Sequence, residues 1–490
     1  MTLPNTTVQT GAGLAVGVTQ GNVRIYRGIR YGDPAIPKTR FSGLVRAQAR
    51  DGLANGQPAA FPQKRSRLAD LMGDAVAGIR QEEEAFLLDL WAPCDAENLP
   101  VLVFLHGGAF ISGGGSGTRY DGARLASEED LIVITLNYRL GALGHLCIDG
   151  VCDGNLPFGD ILQALQWIQE NACGFGGNPD NVTVAGQSAG AWYAHLLAVS
   201  RASKGLLRRN ILLSLPYYPP MLRTSAEHLM REFSALVDHR DLRSVPIEEV
   251  LSAQVEIMKR ASRFGDLTLG FYPVVSGDIV PEWLFDYPRA AAVAHIESTL
   301  IGYTRDENAA FLFGAEATRS PTEKAVTAWY ESKFGADGVS AREHFDKLRS
   351  APTSYTALVD GGTELSFAVP ARSIAHAFSN EGIKSWMYRF DLQSGSQTLL
   401  GPHCLELPFL FGNREDWRDA SMLEQIDDVV FERVSAQFRH AIAEYSRGRS
   451  PSSSPGSIWS AYSSNSRKCN VLDSDSAASI IDVVHPGIHL

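Results

Sequence analysis

One stretch of the chain has the residue types and spacing of a nucleophile: Gly186-Gln187-Ser188-Ala189-Gly190. Val182-Thr183-Val184-Ala185 before it reads as the end of a buried strand, and residues 191–199 after it read as a mostly apolar helix. A serine on such a corner is forced into strained backbone with its hydroxyl exposed. The flanking glycines let strand and helix pass where any side chain would collide. The helix also aims its first N–H groups at the site, where they favour developing negative charge. Composition alone gives roughly 0.3 chance matches to this five-residue pattern, so its weight comes from the strand–turn–helix context.

A serine hydroxyl is a weak nucleophile at neutral pH and needs a base in reach, with a carboxylate to orient that base. His403, in Gly401-Pro402-His403-Cys404, follows a strand expected at 385–390, although with 12 histidines in the chain the order alone does not single it out. Glu307 follows a strand expected at 299–302; Asp306 sits beside it, and Glu364 or Glu406 could equally orient a base. A tetrahedral intermediate requires N–H donors as well. His106-Gly107-Gly108-Ala109-Phe110, directly after the apolar run 101–105, offers the amides of Gly108 and Ala109, joined by that of Ala189. Gly107, Phe110 and Gln187 are expected at the substrate-binding surface, and His106 is expected to fix the loop. Gly113-Gly114-Gly115-Ser116-Gly117 lacks the Lys-Ser/Thr of a phosphate cradle and reads as a flexible loop. Tyr217, Tyr218, Phe271 and Phe313 read as pocket wall or core, and His145 as a packed residue.

The elements that must position these groups alternate. Strands are expected at 87–91, 99–105, 131–136, 182–185, 210–213, 299–302 and 385–390, with a helix at 161–171. Continuous apolar strands alternating with helices indicate a parallel sheet with crossover helices, an α/β fold. Residues 220–265 and 318–380 read as amphipathic helices, and residues 447–456 as a surface loop.

The totals exclude several classes. Among 490 residues, 44% are hydrophobic and 20% charged, which describes a soluble protein with a large core. A net charge of −11 argues against nucleic acid or anionic membrane as a partner. The six cysteines are scattered without ligand spacing, so neither metal nor cofactor is expected. No signal-peptide pattern opens the sequence and no apolar run approaches ~20 residues, so a cytoplasmic location is expected.

Taken together, these stretches resemble the type-B carboxylesterases, the α/β-hydrolase group that includes cholinesterases and bacterial para-nitrobenzyl esterases. The resemblance rests on Phe104-Leu105-His106-Gly107-Gly108-Ala109-Phe110, Asn137-Tyr138-Arg139-Leu140-Gly141, Gly154-Asn155, Phe175-Gly176-Gly177-Asn178-Pro179, the elbow, Asp306-Glu307, and His403 with Leu405-Glu406-Leu407-Pro408. It implies a mostly parallel sheet with helices on both faces. It also implies one domain over residues 1–490, with helical insertions over the site at about 215–300 and 315–380. Ser188 is then the nucleophile, His403 the base and Glu307 the orienting acid of a carboxylic ester hydrolase working through an acyl-enzyme on a small-molecule ester. Carbamate or aryl-amide hydrolysis by the same triad is an alternative, and a non-catalytic cholinesterase-like binding protein a more distant one.

Departures from the family pattern carry information too. Phe61 and Ala85 stand where relatives pair two cysteines, in keeping with a reducing compartment. Arg40 and Glu83 match positions that form an ion pair in relatives. Gln187 stands where many relatives have Glu, and residues 64–81 contain no aromatic, so a choline-type cation site is unsupported. Asn308 and Cys404 replace usual glycines.

Overall fold

The structure is a computed structural model and describes residues 5–36, 39–50, 52–474 and 479–482. Thirteen strands among the described residues join in one sheet. They are β1 (Asn5–Thr10), β2 (Gly13–Gln20), β3 (Val23–Arg30), β4 (Leu87–Pro93), β5 (Leu99–Leu105), β6 (Ile132–Leu136), β7 (Gly177–Gln187), β8 (Arg209–Leu213), β9 (Ser298–Thr304), β10 (Lys384–Phe390), β11 (Ala461–Tyr462), β12 (Lys468–Leu472) and β13 (Ser479–Asp482). Their order is β1-β2-β3-β4-β6-β5-β7-β8-β9-β10-β12-β13, with β11 paired to β10. From β6 through β12 the path is parallel; β1–β4 enter as an antiparallel ribbon.

Alternation along the central strands fills two cores. Val101, Val103 and Leu105 of β5 face one cluster, with Ile132, Ile134 and Val184. Leu102 and Phe104 face the other, with Val133 and Ala185. Such continuous apolar strands need cover on both faces. Helices α1 (Leu156–Asn171) and α2 (Ala189–Val199) supply it on the first side. On the second, α6 (Asp428–Ser446) places Phe431, Val434, Phe438 and Ile442 against the sheet. Asp427 caps α6, accepting from Val429 N–H at 2.8 Å.

The helical blocks divide differently from the expectation. Helices α3 (Arg223–Leu236) and α4 (Ile247–Ala261) build a satellite core of their own around Phe233, Val250 and Phe271. Helix α5 (Val369–Asn380), by contrast, is a crossover helix lying on β9 and β10, with Ile374 and Phe378 in the main core. The block expected over the site to about residue 380 thus gives way to sheet-covering helix at 369, because α5 carries an apolar stripe that only the sheet can bury.

Two loops also differ. Residues 113–117 are not a loose loop: Gly114 to Gly117 are buried, Gly115 N–H donates to Asn137 Oδ1 at 2.8 Å, and Thr135 Oγ1 donates to Gly115 O at 2.7 Å. A β-carbon at Gly115 would lie 2.6 Å from Leu136 backbone, so the glycines serve close packing. In the loop after α6, Pro451 to Ser453 are buried, with Trp459 Nε1 donating to Ser453 Oγ at 2.6 Å. Residues 448–450 are exposed, as expected.

Candidate active site

Register brings the chemistry to one edge of the sheet. Gly186 of β7 is level with Leu105 of β5 and Leu212 of β8, so the loops leaving these strands start side by side. Open α/β sheets place their sites beyond the carboxyl ends of the strands in this way. Immediately after β7, Ser188 has φ 55° and ψ −118°, a conformation outside the usual regions for an L-residue. Its N–H is tied to Leu213 O at 2.9 Å, and its carbonyl accepts from Trp192 N–H at 3.0 Å. The glycines on either side have steric reasons. A β-carbon at Gly186 would lie 2.2 Å from Gly190 O, and one at Gly190 would lie 2.0 Å from Leu105 O.

The loop expected to supply the oxyanion donors leaves β5 through three consecutive residues with positive φ: Gly108 (122°), Ala109 (54°) and Phe110 (62°). Only glycine fits at 108, where a β-carbon would meet Ser112 O at 1.9 Å. The amides of Gly108, Ala109 and Ala189 donate to no acceptor among the described residues. The His106 ring holds Gly107 O through Nδ1 at 2.7 Å and stacks on Tyr138, whose hydroxyl donates to His106 O. Burial pushes His106 down to about 4, so it stays neutral and serves the loop, as expected.

Of the four acids open in the sequence, one reaches His403. His403 Nδ1 contacts Glu307 Oε2, and Glu307 Oε1 accepts Thr304 N–H at 2.8 Å. Asp306 is engaged by Arg349, Gln393 and the Gly401 N–H. Glu364 forms a buried ion pair with Arg372. Glu406 accepts from Ser214 Oγ at 3.1 Å, while its Oε2 has no partner among the described residues. Burial, and then the nearby Glu307, push Glu406 up to about 7. On the other side of the imidazole, the Gln187 amide nitrogen lies 3.1 Å from His403 Nε2 and 3.2 Å from Cys404 Sγ. Ser188 Oγ has no hydrogen-bond partner among the described residues. A β-carbon at Gly107 would lie 2.3 Å from Gln187 Oε1 and 3.1 Å from Ser188 Cβ, and Gln187 reaches His403, which places the Gly107 loop, the elbow and His403 in one cluster.

One expected site residue needs correction, and two that read as pocket wall or core prove to be core. Phe110 does not face a ligand: it is buried, with its ring edge-on to His145, Trp192 and Tyr193 at 5.6–5.9 Å, and it anchors the oxyanion loop in the core. Phe271 packs on Phe233 in the satellite core, and Phe313 packs against the second main core. Tyr217 remains exposed, with its ring on Phe285. The rings that do flank His403 were not singled out in the sequence. Phe311 and Phe367 each lie 5.1 Å from the imidazole. Phe311 could have been found four residues after Glu307. Phe367 sits in a π-helical turn, Glu364–Ala368, that no sequence period announces.

These groups, a strained serine, a carboxylate-held imidazole and a loop of inward amides, are the parts of an acyl-transfer site. The model of the carboxylesterase family matches residues 4–481. The para-nitrobenzyl esterase of Bacillus subtilis (strain 168) is 31% identical over 486 residues, covering 96% of this chain and 95% of that one. The chain belongs to the carboxylesterase family. It is a serine hydrolase of carboxylic esters. The probable N-octanoylanthranilate hydrolase AqdA2 of Rhodococcus erythropolis is 31% identical, covering 86% of this esterase and 88% of the relative. A solved PNB esterase structure superposes with a TM-score of 0.83 at 30% identity, over 98% of this chain and 97% of that one. In the esterase the expected Arg40–Glu83 ion pair is present, with both contacts at 2.6 Å. Phe61 and Ala85, at the family's disulfide positions, are buried instead, and all six cysteines are free. Among the described residues no helix is long and apolar enough to cross a membrane.

Proposed function

We propose that Ser188, His403 and Glu307 form the catalytic triad of this esterase and that Gly108, Ala109 and Ala189 form its oxyanion hole. The observation that carries the assignment is the Glu307–His403 contact beside the elbow serine, since no other candidate acid touches that imidazole. With Nδ1–H held by Glu307, the lone pair of His403 is on Nε2. As Ser188 Oγ attacks the ester carbonyl, the Gln187 amide yields Nε2 to the serine proton. The carbonyl oxygen becomes an oxyanion facing the three amides, each worth roughly 3–4 kcal/mol in such sites. His403 then returns the proton to the leaving alkoxide, which departs as alcohol and leaves the acyl-serine. Water repeats the sequence, losing its proton to His403, and the acid is released as Ser188 regains its own.

Hydrolysis of a p-nitrophenyl ester series by wild type and Ser188→Ala tests this reading. Activity that disappears with the hydroxyl supports it; equal inertness of both proteins sinks it. A second reading, cleavage of carbamates or aryl amides by the same triad, is favoured by the relative whose name specifies an N-acyl bond. Anilide analogues of the preferred ester test it. Residues 1–490 act as one catalytic unit in this proposal, taking a small-molecule ester without metal or cofactor. Net charge weighs against nucleic acid or an anionic membrane as partner. The free cysteines are consistent with work in the cytoplasm.

A further inference from the structure

Lys64-Arg65-Ser66-Arg67 is a basic run in a chain of net charge −11. Gln63, just before it, exchanges two 2.7 Å hydrogen bonds with Gly113. A β-carbon at Gly113 would be 2.5 Å from both Gly107 O and His106 Nδ1, so this run departs from the floor of the oxyanion loop. Facing it is the insertion that contains α4. That wall is tied to the elbow as well: Leu269 N–H donates to Tyr218 Oη at 3.2 Å, and Tyr218 O accepts Trp192 Nε1–H at 2.8 Å, one helical turn after Ser188.

Two contacts cross between the walls. Lys64 pairs with Glu248 of α4, and Arg67 Nη2 donates to Thr268 O at 3.2 Å. Their electrostatic situations differ. Lys64 has its carboxylate and Arg65 has Asp70 at 2.8 Å, whereas among the described residues Arg67 has no carboxylate partner. Nearby Asp266 is committed to Lys333 and to the Trp329 indole. Arg67 is also exposed, yet surrounded by enough protein to draw its pKa below the ordinary value by burial. An accessible guanidinium between these two walls, with most of its N–H groups uncommitted among the described residues, suits a planar two-oxygen acceptor.

We propose that Arg67 is a recognition residue for a carboxylate carried by the substrate, so that this esterase prefers esters bearing an anionic group over neutral ones of the same size. The proposal rests on the triad reading for the reaction itself. Three probes test it: 4-nitrophenyl acetate, neutral; 4-nitrophenyl hemiglutarate, with the carboxylate on the acyl side; and 4-acetoxybenzoate, with the carboxylate on the alcohol side. The readout is the ratio of kcat/KM for each anionic probe to that for the neutral one, measured in wild type, Arg67→Gln, Arg67→Lys and Arg65→Gln. The ratio for at least one anionic probe is expected to fall roughly fivefold to tenfold in Arg67→Gln, to recover in part in Arg67→Lys, and to shrink in wild type at high salt. The probe that responds identifies the side of the ester on which the carboxylate sits. Arg65→Gln removes the same charge from a paired position and is expected to leave the ratio in place. A ratio unchanged in Arg67→Gln overturns the proposal, as does an equal fall in Arg65→Gln, which would indicate a long-range field. Absence of any activity on 4-nitrophenyl acetate would instead strike at the triad.

Discussion

Glu307 and Glu406 are both fully buried carboxyls close to His403, and their hydrogen bonds separate their roles. Glu307 receives Thr304 N–H and holds His403 Nδ1, whereas among the described residues Glu406 has one hydroxyl donor and an oxygen with none. Glu307→Gln would turn an amide toward Nδ1 and favour the tautomer with its proton on Nε2, which cannot accept from Ser188. We expect kcat to fall by about 10⁴ with little loss of thermal stability, read by steady-state kinetics beside calorimetry. Cys404 illustrates a residue-scale cost. Its φ of 75° is left-handed, where the usual glycine is unstrained, while Asn308 at −69° needs no glycine. Burial, and then the neighbouring Glu406 and Glu307, push the Cys404 thiol up, so it stays protonated beside His403. At this scale the sequence supplied the serine and its glycines, because local sterics demand those residues. It left the acid among Asp306, Glu307, Glu364 and Glu406, because which carboxyl meets His403 depends on where two distant loops land.

Among the elements, strand-end geometry controls the chemistry. Gly190→Ala would drive a β-carbon into Leu105 O, forcing α2 away from β5. Overpacking of this kind costs typically 1–3 kcal/mol and here displaces the elbow too, so we expect a lower Tm together with lost activity. Gly108→Ala combines a φ of 122° with a clash at Ser112 O, and the clash falls within the oxyanion loop. We expect kcat to drop by roughly 10²–10³ while KM changes little, the pattern of a lost transition-state donor. The strands 99–105 and 132–136 were legible as unbroken apolar runs, and the elbow as a change of period from strand to helix. The edge strand β1 was not, since Asn5-Thr6-Thr7-Val8-Gln9-Thr10 alternates weakly and gains its place only by pairing with β2. Phe367 was equally illegible, because its π-helical turn depends on what packs around it.

For the whole molecule, buried titratable groups give stability a pH dependence of two signs. Glu406 has a folded-state pKa of about 7 against an ordinary 4.5, so the folded protein holds this proton where the unfolded chain has released it. Stability from this group is full below about 4.5 and is lost as pH rises toward 7. We therefore expect Glu406→Gln, a neutral isostere, to gain in Tm relative to wild type as pH rises over that window; a constant difference would contradict the assignment. His106, His145 and His195 act oppositely. Burial holds each near 4 against 6.5, so their contribution is present above 6.5 and lost as pH falls toward 4. By itself the sequence determined the strand–turn–helix corner around Ser188, the glycine-bearing turn after residue 105 and a parallel α/β core, because steric demands at glycines and the apolar period of strands are local. The tertiary structure decided the rest: which carboxyl orients His403, which rings flank it, that Phe110 is an anchor, and that α5 covers the sheet. Those outcomes depend on distant residues, such as Glu307 and His403 at 96 positions apart, being brought level by strand register, and no local pattern encodes that register.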